Sequence, residues 1–240
     1  MATDPVIRFE GVRLGNPPHG APALHPITHT VAPGEHCLVW AHSILWARPL
    51  LDAAMGLDEP DAGDIIFRGR KWEEMSVREL EESRAAIGRV SSGTAWLSNL
   101  DLDENILLPA SYHRRRSLKE SRARADKLAE IFGMKGLPHR RPEAAGKDLL
   151  SKAQWIRALL LEPDLLLLEF PTETADAASS SSFFEAVRRE VRRGCGVVWI
   201  TTDRRIWHRC AEEDVSRFRL SEVDLSPERD DNQQPGRSRP

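Results

Sequence analysis

Four consecutive leucines, Leu165–Leu168, constrain the fold of this chain more than any other feature. A strand with one wet face alternates apolar and polar residues. An unbroken apolar run needs cover on both faces, as in a central strand of a parallel sheet. Glu169 closes the run at the carboxyl end of that strand, where open α/β sheets bind their ligands, and Pro171-Thr172 then turns the chain. Gly196–Thr201 (GVVWIT) and His36–Trp40 (HCLVW) are further apolar strands, and Val6–Leu14, Ile27–Val31 and Asp64–Phe67 are shorter strand candidates. Between them lie helical patterns over Pro49–Leu57 (closing at Gly56), Arg78–Ala86, Leu118–Phe132, Leu149–Leu161 and Ser180–Arg193. Strands alternating with helices predict an α/β fold on a parallel sheet.

The chain has 240 residues, enough for one sizeable domain or a domain with a subdomain, and 40% hydrophobic residues suffice for a core. No apolar stretch reaches the length of a membrane span. Met1–Pro5 lacks the basic residues and apolar core of a secretory signal, so a cytoplasmic location is expected. A net charge of -3 weighs against nucleic acid as a partner. Cys37, Cys195 and Cys210 have no metal-ligand spacing and read as buried small hydrophobes, so no metal site is expected. From Ser226 the composition turns polar, and residues 226–240 read as a disordered tail.

Glutamate, proline and aspartate leading into an apolar strand, then an acid and Pro-Thr, resembles the Mg-coordinating strand of ATP-binding cassette (ABC) ATPases. That family writes Asp-Glu-Pro-Thr where this chain writes Glu169-Phe170-Pro171-Thr172. Pro33-Gly34-Glu35, Glu59–Asp64, Ile65–Gly69, Leu97–Leu100 and Asp103-Glu104-Asn105 follow in the family's order, so the likeness runs from Val6 to about Leu225. It implies a P-loop NTPase-like fold: a parallel core sheet, an N-terminal antiparallel β part and a helical subdomain. The domain would cover 1–225, with the helical subdomain inserted at about 90–155. The wording around Ser92-Gly93, Leu97–Asn99 and Pro109 is similar to cassettes of lipid-trafficking, Mce-associated transporters.

The same resemblance maps the catalytic positions, and they depart from the family. A phosphate loop turns glycine-rich backbone N–H groups toward an anion, adds a lysine, and holds Mg with a hydroxyl. The matching window is Ala41, His42, Ser43, Ile44, Leu45, Trp46, Ala47, Arg48 and Pro49. Ala41, Ile44 and Trp46 take glycine positions, Ala47 the lysine's, and Arg48 and Pro49 those of the hydroxyls. Ile44 disfavours positive φ, and Pro49 has no N–H to donate. Trp40, Ile44, Leu45 and Trp46 are expected to fill the vacated pocket. Glu169 keeps a carboxylate at the Mg-associated position, but Phe170 replaces the glutamate that polarises water, and a phenyl ring accepts no proton. Thr202 stands for the switch histidine and Ser92 for the glutamine-loop amide. Ala145, Gly146, Lys147, Asp148 and Leu149 stand for the signature loop, and Asp176 retains the inter-subunit loop's acid.

The resemblance therefore implies a cassette subunit of an ABC transporter, docking on a membrane permease through Trp96 and Leu97 and pairing as a homodimer or with a second cassette. It would be peripheral on the cytoplasmic membrane face and without ATPase activity. ATP and Mg are cofactors only if a remodelled site built on His42, Arg48 and Glu169 works. A soluble regulatory module using the same fold is a further alternative, and no nucleic-acid partner is expected. Trp72, Trp96, Trp155 and Trp207 are expected in the core or half-buried. His113–Arg116 with Lys119 reads as a solvated helix start, and Ser179–Ser182 as a helix N-cap region.

Overall fold

A computed structural model describes residues 4–15, 26–41, 44–93, 96–209, 215–220 and 225–227. One sheet is antiparallel, ordered β2 (Ile27–Val31), β1 (Ile7–Arg13), β4 (Ala62–Phe67) and β5 (Arg70–Lys71). The second is ordered β10 (Leu225–Pro227), β9 (Ser216–Leu220), β3 (His36–Ala41), β8 (Gly196–Thr201), β7 (Leu165–Glu169) and β6 (Ile87–Val90). Its pairings are parallel except β10 with β9. Strand β7 lies between β8 and β6 with every residue buried, as the leucine run requires.

The four leucines divide between two cores. Leu165 and Leu167 pack with Leu50 and Leu51 of α1 (Ala47–Ala54) and Phe67 of the antiparallel sheet. Leu166 and Leu168 face Trp155 and Ile156 of α5 (Lys147–Leu159) and Phe183 of α6 (Ala177–Arg192). The other helices are α2 (Val77–Arg84), α3 (Leu102–His113), α4 (Leu118–Ile131) and α7 (Arg204–Arg209), so α3, α4 and α5 all lie between β6 and β7 in the chain. Capping boxes start α2 and α4: the Ser76 and Ser117 hydroxyls accept from Glu79 N and Glu120 N.

Gly88 brings β6 onto the backbone of α5. A Cβ there would sit 2.2 Å from the Ala158 carbonyl oxygen and 2.8 Å from Leu166 Cδ2. Gly88→Ala is therefore expected to lower the unfolding free energy by about 1–3 kcal/mol. Urea unfolding should show a lower midpoint at unchanged slope. An unchanged midpoint would mean that the two elements separate freely.

Some expectations shift, and those for the tryptophans, Cys37 and Cys195 hold. His113–Arg116 does not start a helix: α3 ends at His113, and Arg114 terminates it in the left-handed region at φ 50°. Arg115 reaches back to the Glu82 and Ala85 carbonyls at the end of α2, 2.9 and 3.3 Å away, where a helix C-terminus favours a cation. Asp176, not a serine, caps α6 by accepting from Ser179 N at 2.7 Å. Trp155 and Trp207 are buried, while Trp72 and Trp96 are half-buried. β10 extends two residues into the segment expected to be a tail; residues 228–240 lie outside the described residues. Cys37 and Cys195 are buried, and desolvation pushes both thiols up; Cys210 lies outside the described residues. Among the described residues no helix is long and apolar enough to cross a membrane.

Candidate functional site

Strand β3 ends in buried Ala41, and His42 and Ser43 lie outside the described residues. A single 3-10 turn, Ile44–Trp46, runs straight into α1. Trp46 adopts helical angles (φ -88°, ψ -16°), is 3% exposed, and joins the core of Val39, Leu50, Phe170 and Ile200. Leu45, expected in the same pocket, is 37% exposed, because consecutive residues of so tight a turn point in different directions. Trp40 is half-buried, edge-on to Trp207 at 5.8 Å. Pro49 occupies the first turn of α1, where a missing N–H has no intrahelical partner to lose. Ala47 is fully buried.

Arg48 turns its half-exposed guanidinium over the carboxyl edge of the sheet. It donates to the Ser92 carbonyl, and its Nε lies 3.8 Å from Glu169 Oε1. Glu169 is 2% exposed. Its Oε1 accepts from the Ser92 hydroxyl, and Oε2 lies 3.9 Å from Arg89. Among the described residues Oε2 has no hydrogen-bond partner. Arg89 also pairs with Asp52 of α1. Two guanidiniums and two carboxylates thus form one neutral cluster. The sequence positions Arg48, Ser92 and Glu169 come together; Arg89 and Asp52 were missed. The available signal was a single arginine inside the apolar strand Ile87–Val90.

Phe170 follows Glu169 at φ 47°, a left-handed conformation that costs a non-glycine residue about 1–3 kcal/mol. Its N–H donates to the Ile200 carbonyl at 3.1 Å, and its ring is buried in the same core as Trp46. Thr202 is half-buried just beyond β8, two residues past Ile200, the register partner of Glu169.

At the other end of the mapped positions, Gly146 is the N-cap residue of α5 and Lys147 is exposed. Asp148 accepts from Asp176 N at 3.2 Å and pairs with Lys152 at 2.8 Å. Hydrogen bonds from Ser179 hold the Asp176 carboxyl below its usual range. Asp148 and Asp176 are therefore joined within one chain. Ala145 and Leu149 pack half-buried on the second core.

The Trp96–Leu100 loop is shaped by Asn105, fully buried on α3. Its side chain accepts from Leu97 N and donates to the Leu97, Leu100 and Asp101 carbonyls at 2.9–3.1 Å. Arg157 lies 4.5 Å above the Trp96 ring, and burial pushes its guanidinium down to about 10. Leu97 stays 52% exposed.

Three of the mapped loop positions carry side chains other than those of a phosphate loop. Where the resemblance puts the metal's hydroxyl stands a cation, Arg48. The phosphate lysine's position holds buried Ala47, and one glycine position holds a core tryptophan.

A five-strand parallel arrangement with an acid at the carboxyl edge of an inner strand, beside an antiparallel sheet and inserted helices, defines the P-loop NTPase-like α/β class. The ABC transporter family model matches residues 49–173, just over half of the chain. The chain belongs to the ABC transporter family. Lipoprotein-releasing system ATP-binding protein LolD 1 of Rhodopseudomonas palustris is 26% identical over 211 residues, 85% of this chain and 93% of that protein. Cell division ATP-binding protein FtsE of Haemophilus influenzae is 28% identical over 203 residues, 82% and 90% respectively. The sn-glycerol-3-phosphate import ATP-binding protein UgpC of Chromohalobacter salexigens is 29% identical over 204 residues, 85% of this chain. The chain spans about half the length of UgpC and of the methionine and molybdate/tungstate import proteins it also matches, 52%, 48% and 48%. A solved dimer of an ATP-binding cassette in a post-hydrolysis state, bound to ADP and Pi, shares the fold. It has a TM-score of 0.79 at 19% identity, over 92% of this chain and 97% of that one.

Proposed function

We propose that this chain is a catalytically degenerate ABC cassette subunit, docking on a membrane permease as a structural or regulatory half. One observation carries the reading: Arg48 and Arg89 approach the two oxygens of buried Glu169 at 3.8 and 3.9 Å. The carboxylate that the family keeps for Mg is matched by the chain's own cations. Like charges 4 Å apart repel by about 4 kcal/mol at an effective dielectric constant of 20, and a divalent ion roughly doubles that against each arginine. The core ring of Phe170 supplies no base. The family match begins only at residue 49, the last position of the loop window. An active site rebuilt on Arg48 and Glu169 is disfavoured because those two groups are already engaged with each other and with Ser92.

On this reading the cassette covers 1–225 with its helical subdomain at about 90–155, and the chain sits on the cytoplasmic face of the membrane. The Trp96-Leu97 loop would meet the permease beside a groove of about 460 Å³ lined by Leu108, Pro109, Tyr112, Arg157 and Leu161. Any working nucleotide site would need a second, intact cassette. The test is turnover by the tag-free chain, alone and co-purified with its permease. ATP hydrolysis should not exceed that of Glu169→Gln. Mg-dependent turnover of about 1 s⁻¹ or faster, abolished by that substitution, would overturn the proposal.

A further inference from the structure

We propose that His29, Glu35 and Cys37 form a binding site for a divalent cation of the zinc class, remote from the nucleotide edge. The three residues bring an imidazole, a carboxylate and a thiol together, with ligand atoms all within 4.8 Å of one another. That donor set selects zinc-like ions; magnesium and calcium take oxygen ligands instead. His29 Nε2 lies 3.6 Å from Cys37 Sγ. A tetrahedral centre with a Zn–N bond of about 2.0 Å and a Zn–S bond of about 2.3 Å has an N-to-S edge of about 3.5 Å. The pair already stands at that spacing.

His29 and Cys37 also border a cavity of about 20 Å³ walled by apolar side chains such as Phe9, Val39, Leu50 and Leu51; Glu35 does not line it, and the ion's place is among the three donors themselves. Cys37 is 1% exposed, while His29 and Glu35 are half-buried and leave a route from solvent. The donors are also held from behind. Ala32 N donates to Glu35 Oε2 at 2.8 Å, and the His29 ring rests edge-on against Phe218 at 4.3 Å. Outer contacts of this kind orient metal ligands.

His29 belongs to β2 of the antiparallel sheet, and Cys37 to β3 of the parallel one. A bound ion would staple the two sheets, just beneath the helix that follows the altered loop. Binding displaces the Cys37 proton to solvent, leaving a thiolate–metal bond, with no change of oxidation state. The spacing of the cysteines along the chain hides the set, because its other ligands come from a neighbouring strand and a turn.

The test uses tag-free full chain, stripped with chelator and titrated with zinc chloride, then with cobalt chloride. We expect one zinc per chain, a thiolate-to-cobalt charge-transfer band, and a rise in Tm with zinc. Cys37→Ser should abolish the band, and His29→Gln and Glu35→Gln should each weaken binding by more than about 100-fold, beyond what losing one outer contact costs. Cys195→Ser should change nothing. If Cys37→Ser fails to fold, the two half-exposed positions decide the question. Absence of the cobalt band, or zinc uptake unchanged in His29→Gln and Glu35→Gln, overturns the site and leaves a metal-free thiol–imidazole contact. Neither outcome bears on ATP hydrolysis.

Discussion

Trp155→Ala is expected to lower the unfolding free energy by about 3–5 kcal/mol, the range for removing a large buried aromatic side chain. Trp155 is fully buried on α5 and stacks on Phe183 at 4.5 Å, with Phe132 edge-on at 5.3 Å. Its indole Nε1 donates to the Pro171 carbonyl at 2.9 Å, so truncation also leaves a buried acceptor unpaired. That bond ties α5, whose first turn carries part of the signature positions, to the turn after Glu169. Trp155→Phe should keep most of the stacking and lose the hydrogen bond, costing about 1–3 kcal/mol. Chemical denaturation of the three proteins measures both contributions. A loss below about 1 kcal/mol for the alanine variant would mean that the aromatic cluster is not a core.

The second large effect belongs to Glu169. Removing one member of a buried ion pair costs about 3–5 kcal/mol, because its partner is left uncompensated. Glu169→Ala should fall at the lower end, since Arg48 is 55% exposed and Arg89 keeps Asp52. The informative comparison is a cycle with Arg89→Met. If Glu169 and Arg89 serve each other, the double variant should be less destabilised than the sum of the singles by about 1 kcal/mol or more. Additive losses would show that the carboxylate is not held by Arg89. In a cassette that keeps this carboxylate for a metal, the same substitution should instead act mainly on turnover.

Much of this architecture was legible in the residues. The leucine run could only be a doubly covered strand, and Ile27–Val31 and Gly196–Thr201 coincide with the observed β2 and β8. What stayed hidden was short or held by distant partners. β6 has only four residues, among them Gly88, whose missing side chain admits α5, and Arg89, whose charge is answered by Asp52 on another element. α3 contains Pro109 and a buried asparagine, so its apolar pattern is weak even though Asn105 organises the neighbouring loop. At the site, the replacement of glycines and lysine was plain from sequence. That Arg48 would turn onto Glu169 was not, because the direction of a long flexible side chain is set by the fold around it.

Calorimetric titration of the chain with ATP and magnesium is the most direct measurement. If the chain's own arginines stand in for metal and phosphate lysine alike, no saturable binding tighter than about 1 mM, or roughly 4 kcal/mol, should be found. Saturable magnesium-dependent binding with a micromolar Kd, abolished by Glu169→Gln, would contradict it.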